Sequence, residues 1–306
     1  MSFLKKTIIA DLALLSVAFI WGITFVIVQN AIETLPPHTF NALRFFMAAV
    51  LLFIIIALFF KEQLRMFSKK MFISGFILGI WLFGGYALQT IGLLHTTSSK
   101  AGFITALSVA LIPLFSFLFL KQKLQWPAIA GVVAATIGLY FLTLGDSLSL
   151  NKGDFLVFLC AICFALQIIF TGIYAPHYPA ISLAFVQILT VALLSAGGAF
   201  FFENWQAALT PTRLFQPQII WALLITVGPA TVFAFLAQTI CQKFTTPTRV
   251  ALIYAMEPVF AALASFFWTD DVLGYKALGG CLLIFIGMIL SELRPEQPFV
   301  KKTIKQ

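Results

Sequence analysis

Charge is scarce in this sequence. Nineteen Lys and Arg and eleven Asp and Glu make up only 10% of 306 residues, against roughly 25% in soluble domains. That deficit excludes a soluble globular protein. Histidine is scarcer still: His38, His95 and His177 sit at loop edges with no ligand spacing between them. No metal site, phosphate-binding loop or nucleophile with an adjacent base can be assembled, so no cofactor is expected and an enzyme is the weakest function class. The four cysteines, Cys160, Cys163, Cys241 and Cys281, lie inside or at the edge of apolar runs. Cys160 and Cys163 form a C-x-x-C on a hydrophobic stretch with no second pair nearby, and they read as small packing residues.

What the chain has is apolar surface: 61% hydrophobic residues, mean hydropathy +1.03 and 35 Phe. The class is a polytopic membrane protein, with the phenylalanines suited to face lipid. A bilayer core takes about twenty apolar residues per helix. Cutting at charges, prolines and polar clusters leaves ten such runs, roughly 10–31, 38–60, 71–93, 98–120, 126–144, 154–175, 180–202, 218–240, 247–268 and 274–293. The expected fold is all-α, with ten transmembrane helices. The first run is too long for a signal peptide and is read as an uncleaved helix.

A net charge of +8 would suggest nucleic acid in a soluble protein. Here the basic residues sit in short loops, so they set topology and no nucleic-acid partner is expected. With the N-terminus inside, fourteen Lys and Arg fall in cytoplasmic segments and four (Lys100, Lys152, Arg213, Lys276) outside, leaving Arg44 within a span. Both termini are therefore placed on the cytoplasmic side of a plasma or inner membrane.

The chain contains one stretch twice. Shifted by 149 positions without a gap, Gln89–Gly138 lies over Gln238–Gly287, with about fifteen of fifty positions identical. Gln89 falls on Gln238, Thr97 on Thr246, Lys100 on Arg249, and Gly131 and Gly138 on Gly280 and Gly287. Apolar composition does not place Gln, Thr, Ser and Gly in register, so the repeat is genuine and spans half the chain. Five helices per half is an odd number. The second half, 154–293, must then enter the membrane from the side opposite to the first, 10–144, which is the inverted duplication used for alternating access.

Several segments resemble the EamA family of the drug/metabolite transporter superfamily: F-I-W-G at Phe19–Gly22, F-N-A-L-R-F ending at Arg44 and Phe45, Ala-Met-Glu-Pro at 255–258, and the glycine-spaced fifth and tenth runs. The resemblance covers residues 10–293 and implies a ten-helix, two-repeat carrier that exports small metabolites, amino acids or toxic compounds. Two departures stand out. The acidic position after the fourth helix of each repeat is Lys121-Gln122-Lys123 in the first half but Asp270-Asp271 in the second, and the counterpart of Arg44 is Gln187.

Glu257 is the sharpest functional signal. It lies about ten residues into the ninth run, roughly 15 Å deep at 1.5 Å per residue, where a charged carboxylate costs at least about 2.5 kcal/mol. Either it binds solute or exchanges protons, or it is a structural acid paired across helices. Its repeat partner is Ser108. Pro258, Pro113 and Pro229 each free a carbonyl inside the membrane, of Tyr254, Val109 and Ile225, marking a kink or a cavity wall. Arg44 can snorkel outward, pair with Glu257 or meet a solute carboxylate. Trp21, Thr24, Tyr86, Phe103, Gln167, Gln187 and Tyr254 are deep polar or aromatic groups that form a pocket as a set. Gln89 and Gln238, near helix ends, read better as partners of a neighbouring helix or headgroup. The G-x-x-x-G of Gly75 and Gly79 reads as close helix packing. The leading function is a secondary transporter of a small organic solute, with protons as a candidate coupling ion. The rivals are a channel or passive facilitator, a multidrug exporter, and a membrane enzyme.

Overall fold

A computed structural model describes residues 3–64, 66–121, 126–143, 151–268 and 274–292. Gln122, Lys123, Asp270 and Asp271 lie outside them, as do Arg65, Arg294, Lys301, Lys302 and Lys305, which entered the orientation count. All regular structure among the described residues is helical. The first half comprises α1 (Phe3–Ile32), α2 (Pro37–Phe59), the short α3 (Lys61–Leu64), α4 (Lys69–Leu93), α5 (Ser98–Ala106), α6 (Ser108–Leu120) and α7 (Trp126–Thr143). In the second half come α8 (Lys152–Tyr174), α9 (Ala180–Phe202), the short α10 (Trp205–Ala208) and α11 (Pro211–Leu214), and α12 (Pro217–Val227). A π-helical turn, Gly228–Phe233, leads from α12 into α13 (Ala234–Cys241), followed by α14 (Pro247–Tyr254), α15 (Glu257–Trp268) and α16 (Tyr275–Glu292).

Seven helical stretches among the described residues are long and apolar enough to cross a bilayer. The runs expected at 126–144 and 274–293 give shorter apolar helices, Trp126–Phe141 and Leu278–Gly287. The run expected at 247–268 is split into α14 and α15 by a turn at Ala255 and Met256. Its repeat counterpart, 98–120, breaks at Leu107, which is Met256 shifted by 149. Neither break carries a glycine, and Pro113 sits inside α6 beyond the break. Pro258 follows immediately after the second break, and Pro229 lies in the π turn. There the missing proline N–H removes an i→i−4 bond, and the widened turn absorbs the mismatch.

Local chemistry sets the helix starts. Thr97 and Thr246 accept from the N–H groups of Lys100 and Arg249, each at 3.3 Å, and Asn151 with Asp154 forms a capping box on α8. The N-terminus of α2 has no local cap. Instead Glu203, at the end of α9, accepts from the backbone N–H groups of His38 (2.7 Å) and Thr39 (2.8 Å) and from the Thr39 hydroxyl (2.8 Å). This remote carboxylate ties α9 to α2. Glu203→Ala is expected to cost about 1 kcal/mol, as loss of a helix cap does, read as a lower melting temperature of the purified protein.

Glycines set the closest helix approaches. A Cβ on Gly75 would lie 2.6 Å from Val186 Cβ, and one on Gly79 would collide with Thr190, so the G-x-x-x-G brings α4 onto α9. A Cβ on Gly138 would lie 2.6 Å from the Gly280 carbonyl, and one on Gly287 would lie 2.6 Å from the Gly131 carbonyl. The contact of α7 with α16 is thus reciprocal between repeat-equivalent glycines. Phenylalanines such as Phe46, Phe53, Phe117, Phe201 and Phe202 point outward, as expected of a surface in hydrocarbon.

Candidate functional site

Between α1, α2, α4, α5, α6, α8, α13, α14 and α15 lies a cavity of about 60 Å³, partly open to the outside. Glu257, the first residue of α15, projects to it and is only partly covered. No group among the described residues donates to its carboxylate or forms an ion pair with it. The expected pairing with Arg44 is not formed.

Arg44 is spent on other partners. It is 2% exposed, donates through Nε to Thr231 Oγ1 (2.8 Å), and through Nη2 to the Ala230 carbonyl (3.3 Å) and Tyr86 Oη (3.4 Å). Its guanidinium carbon stands 4.7 Å from the Tyr86 ring centroid and 5.0 Å from that of Phe45. The Ala230 carbonyl also accepts from Trp21 Nε1 at 2.9 Å. This carbonyl belongs to the π turn, so the backbone acceptor that Arg44 and Trp21 share is Ala230, five residues beyond the Ile225 carbonyl that Pro229 frees. Arg44 therefore turns inward and does not snorkel.

The walls are aromatic. Trp21 stacks edge-on against Tyr254 with centroids 4.9 Å apart, and Tyr86 meets Phe164 at 5.3 Å. A seam of amides crosses the far side. Gln238 donates to Gln167 Oε1 (3.0 Å) and Gln242 Oε1 (3.4 Å), Gln167 donates to Gln187 Oε1 (3.2 Å), and Gln242 donates to the Ile168 carbonyl (2.9 Å). The fully buried wall atoms Tyr254 Oη and Gln238 Oε1 have no hydrogen-bond partner among the described residues.

Of the residues singled out in the sequence, Trp21, Thr24, Arg44, Tyr86, Ser108, Gln167, Tyr254 and Glu257 line this cavity. Phe103 does not; it is buried in the core beside α1 and α8. Gln187 does not either, standing behind Gln167 with its own Nε2 unpartnered. The three prolines are outside the lining. Gln89 and Gln238, placed at helix ends by the sequence, do line the cavity, with Gln89 donating to Thr105 Oγ1 at 3.3 Å. Thr105, Phe164 and Phe235 join them unannounced. The repeat itself was the signal for Gln89 and Gln238, because a duplicated amide inside an apolar run has a shared environment to account for.

An all-helical, multi-pass membrane protein with a cavity at its centre is the class this arrangement defines. The model of the EamA-like transporter family matches residues 8–144 and again 151–293, so the chain belongs to that family. It is 36% identical over 94% of its length to an uncharacterized transporter of Archaeoglobus fulgidus, covering 87% of that protein. With the uncharacterized transporter YoaV of Bacillus subtilis it shares 23% identity, over 92% of this chain and 95% of that one. A solved crystal structure superposes with a TM-score of 0.76 at 20% identity, over 97% of this chain and 99% of the other, which establishes the shared fold.

The two family matches start 143 residues apart. At that offset the first helices of the halves align in sequence, with Trp21 on Phe164, Thr24 on Gln167 and Phe25 on Ile168. At the offset of 149 found downstream, Tyr86 falls on Phe235, Gln89 on Gln238, Thr105 on Tyr254 and Ser108 on Glu257. Every one of these residues lines the cavity. Both repeats therefore build the wall from equivalent positions.

Proposed function

We propose that the chain is a secondary transporter that carries small amine-bearing organic solutes, amino acids and related metabolites among them, out across the plasma membrane by alternating access. In this reading ten helices cross the bilayer as two inverted five-helix repeats with both termini cytoplasmic, and the repeats rock about the cavity they share. The observation that carries it is Glu257: a carboxylate in a cavity walled by equivalent positions of both repeats, with no partner among the described residues. A buried charge is retained without a partner where a ligand or proton supplies one. A carboxylate beside aromatic walls is a setting suited to an ammonium group. Arg44, already bonded to Thr231 and Ala230, supports the wall.

The same carboxylate and rings would hold an organic cation lacking a carboxylate of its own, which is the multidrug reading. Melting of the purified protein across a panel of amino acids, polyamines and quaternary ammonium compounds separates the two. Stabilisation by amino acids supports the proposal, and stabilisation by quaternary cations alone replaces it with the multidrug exporter. If no amine stabilises, the amine reading is lost. Saturable uptake with counterflow in proteoliposomes would distinguish a carrier from a passive channel. Proton coupling through Glu257 is part of the same proposal, and a pH dependence of transport that survives Glu257→Gln removes it.

A further inference from the structure

The ion pairs Arg249–Asp11 and Lys100–Asp154 occupy equivalent places in the two repeats. Arg249, in the first turn of α14, grips Asp11 of α1 with both arms of its guanidinium: Nε to Oδ1 at 3.0 Å and Nη2 to Oδ2 at 2.5 Å. Lys100, in the first turn of α5, has its Nζ 3.9 Å from Oδ2 of Asp154 in the first turn of α8. Lys100 and Arg249 are equivalent at the offset of 149, and Asp11 and Asp154 at the offset of 143. Each pair thus joins the fourth helix of one repeat to the first helix of the other.

The pairs lie at opposite ends of the cavity, and α1 measures the distance. Near its start it carries Asp11, held by Arg249. Near its end it carries Gln29, which donates to the Thr96 carbonyl (3.2 Å) and accepts from the Ser98 N–H (3.2 Å) beside the start of α5. Eighteen residues separate Asp11 from Gln29, about 27 Å at 1.5 Å per residue, close to the thickness of the hydrocarbon core. Trp21, Thr24 and Phe25 of the cavity wall fall between them.

We propose that Arg249–Asp11 and Lys100–Asp154 are the two latches of the cavity, each sealing one end by tying the repeats together. Opening one end parts α14 from α1, and opening the other parts α5 from α8. Each movement breaks one pair and leaves the other closed. The latches are unequal. The two-pronged arginine pair is the stronger kind, while Lys100 is 28% exposed and its pair is long, so the Lys100 pair contributes less to its own seal. The proposal takes its use from the alternating-access reading, but its test needs no solute, so either can fail without the other.

Hydrogen–deuterium exchange of the full chain in lipid nanodiscs reads both ends at once. Asp11→Asn is expected to raise exchange about tenfold around Asp11 in α1 and in the first turn of α14, as loss of a charge-assisted bond pair does, without raising it at the starts of α5 and α8. Lys100→Gln is expected to raise exchange about threefold at the starts of α5 and α8 only. Asp154 is left intact because it also caps α8 and accepts from Thr96 at 2.5 Å. Asp11→Arg combined with Arg249→Asp should return exchange to within about twofold of the parent, whereas Asp11→Arg alone should not. If Asp11→Asn fails to fold, Arg249→Lys serves the same end, since losing the fork should give a smaller rise in the same two segments. Exchange that rises at both ends in one variant, at neither end, or without rescue in the exchanged pair overturns the proposal.

Discussion

Replacing Glu257 with glutamine is expected to weaken binding of an amine-bearing solute about 100-fold while leaving the solute-free protein as stable as before, or more so. The two halves of that expectation have separate physical origins. A charge-assisted hydrogen bond from an ammonium group to a carboxylate contributes roughly 1.5–3 kcal/mol, and the upper figure is about 100-fold in affinity. A neutral amide keeps the shape but forfeits most of that. Stability behaves differently because the Glu257 carboxylate has no donor or cation among the described residues. Removing it leaves no partner stranded, and the amide is less costly to bury in the membrane. A structural acid gives the opposite pattern, since removing one member of a buried pair costs about 3–5 kcal/mol. Melting curves of parent and Glu257→Gln, each with and without solute, check both halves together. A lower melting temperature without solute, with stabilisation by solute intact, would return Glu257 to a structural role.

Much of this was legible in the sequence because a bilayer is an unforgiving solvent. Apolar runs announce helices, and a polar residue inside one announces something to be satisfied. Glu257, Arg44, Tyr86, Gln167 and Thr24 were found by that rule, and all five reach the cavity. The rule gives depth along a helix but not direction around it. In a soluble helix the polar face marks the outside; here lipid and core are equally apolar, and periodicity carries little directional information. Phe103 and Gln187 are both buried, yet one faces the core and the other stands behind Gln167. The partners of Arg44 were also out of reach. Thr231 and Ala230 lie 187 and 186 residues away in a π turn, and nothing local says that the Ala230 carbonyl will be left to accept from both Arg44 and Trp21. Duplication was the more informative signal. It related Ser108 to Glu257 and Gln89 to Gln238 before any coordinates, and it relates the helix breaks at Leu107 and Met256, which no proline or glycine at those positions announces.

Gly22 is where packing and site meet, and substituting it is expected to be the most damaging small change in the chain. A Cβ there would lie 2.5 Å from the Glu257 carbonyl oxygen, 3.0 Å from the Ala261 amide nitrogen and 3.1 Å from Phe260 Cβ. Two of those neighbours are backbone and cannot rotate away, so Gly22→Ala must push α15 off α1. Overpacking of this kind costs typically about 1–3 kcal/mol, and the rigid neighbours place Gly22→Ala toward the upper figure, with Gly22→Val beyond it. Alanine is otherwise the better helix former by about 1 kcal/mol, so the loss must come from the contact and not from the helix. Gly197→Ala is the matched control: it too lies in a helix, but no atom lies within 4 Å of its added Cβ, and it should be neutral or slightly stabilising. Displacement of α15 also moves Glu257 away from Trp21 and Tyr254, so any solute stabilisation should fall together with the melting temperature in Gly22→Ala. In Glu257→Gln only the solute stabilisation should fall. Were Gly22→Ala to melt and bind like Gly197→Ala, the close approach of α1 to α15 would be wrong, and with it the placement of Glu257 against the first helix.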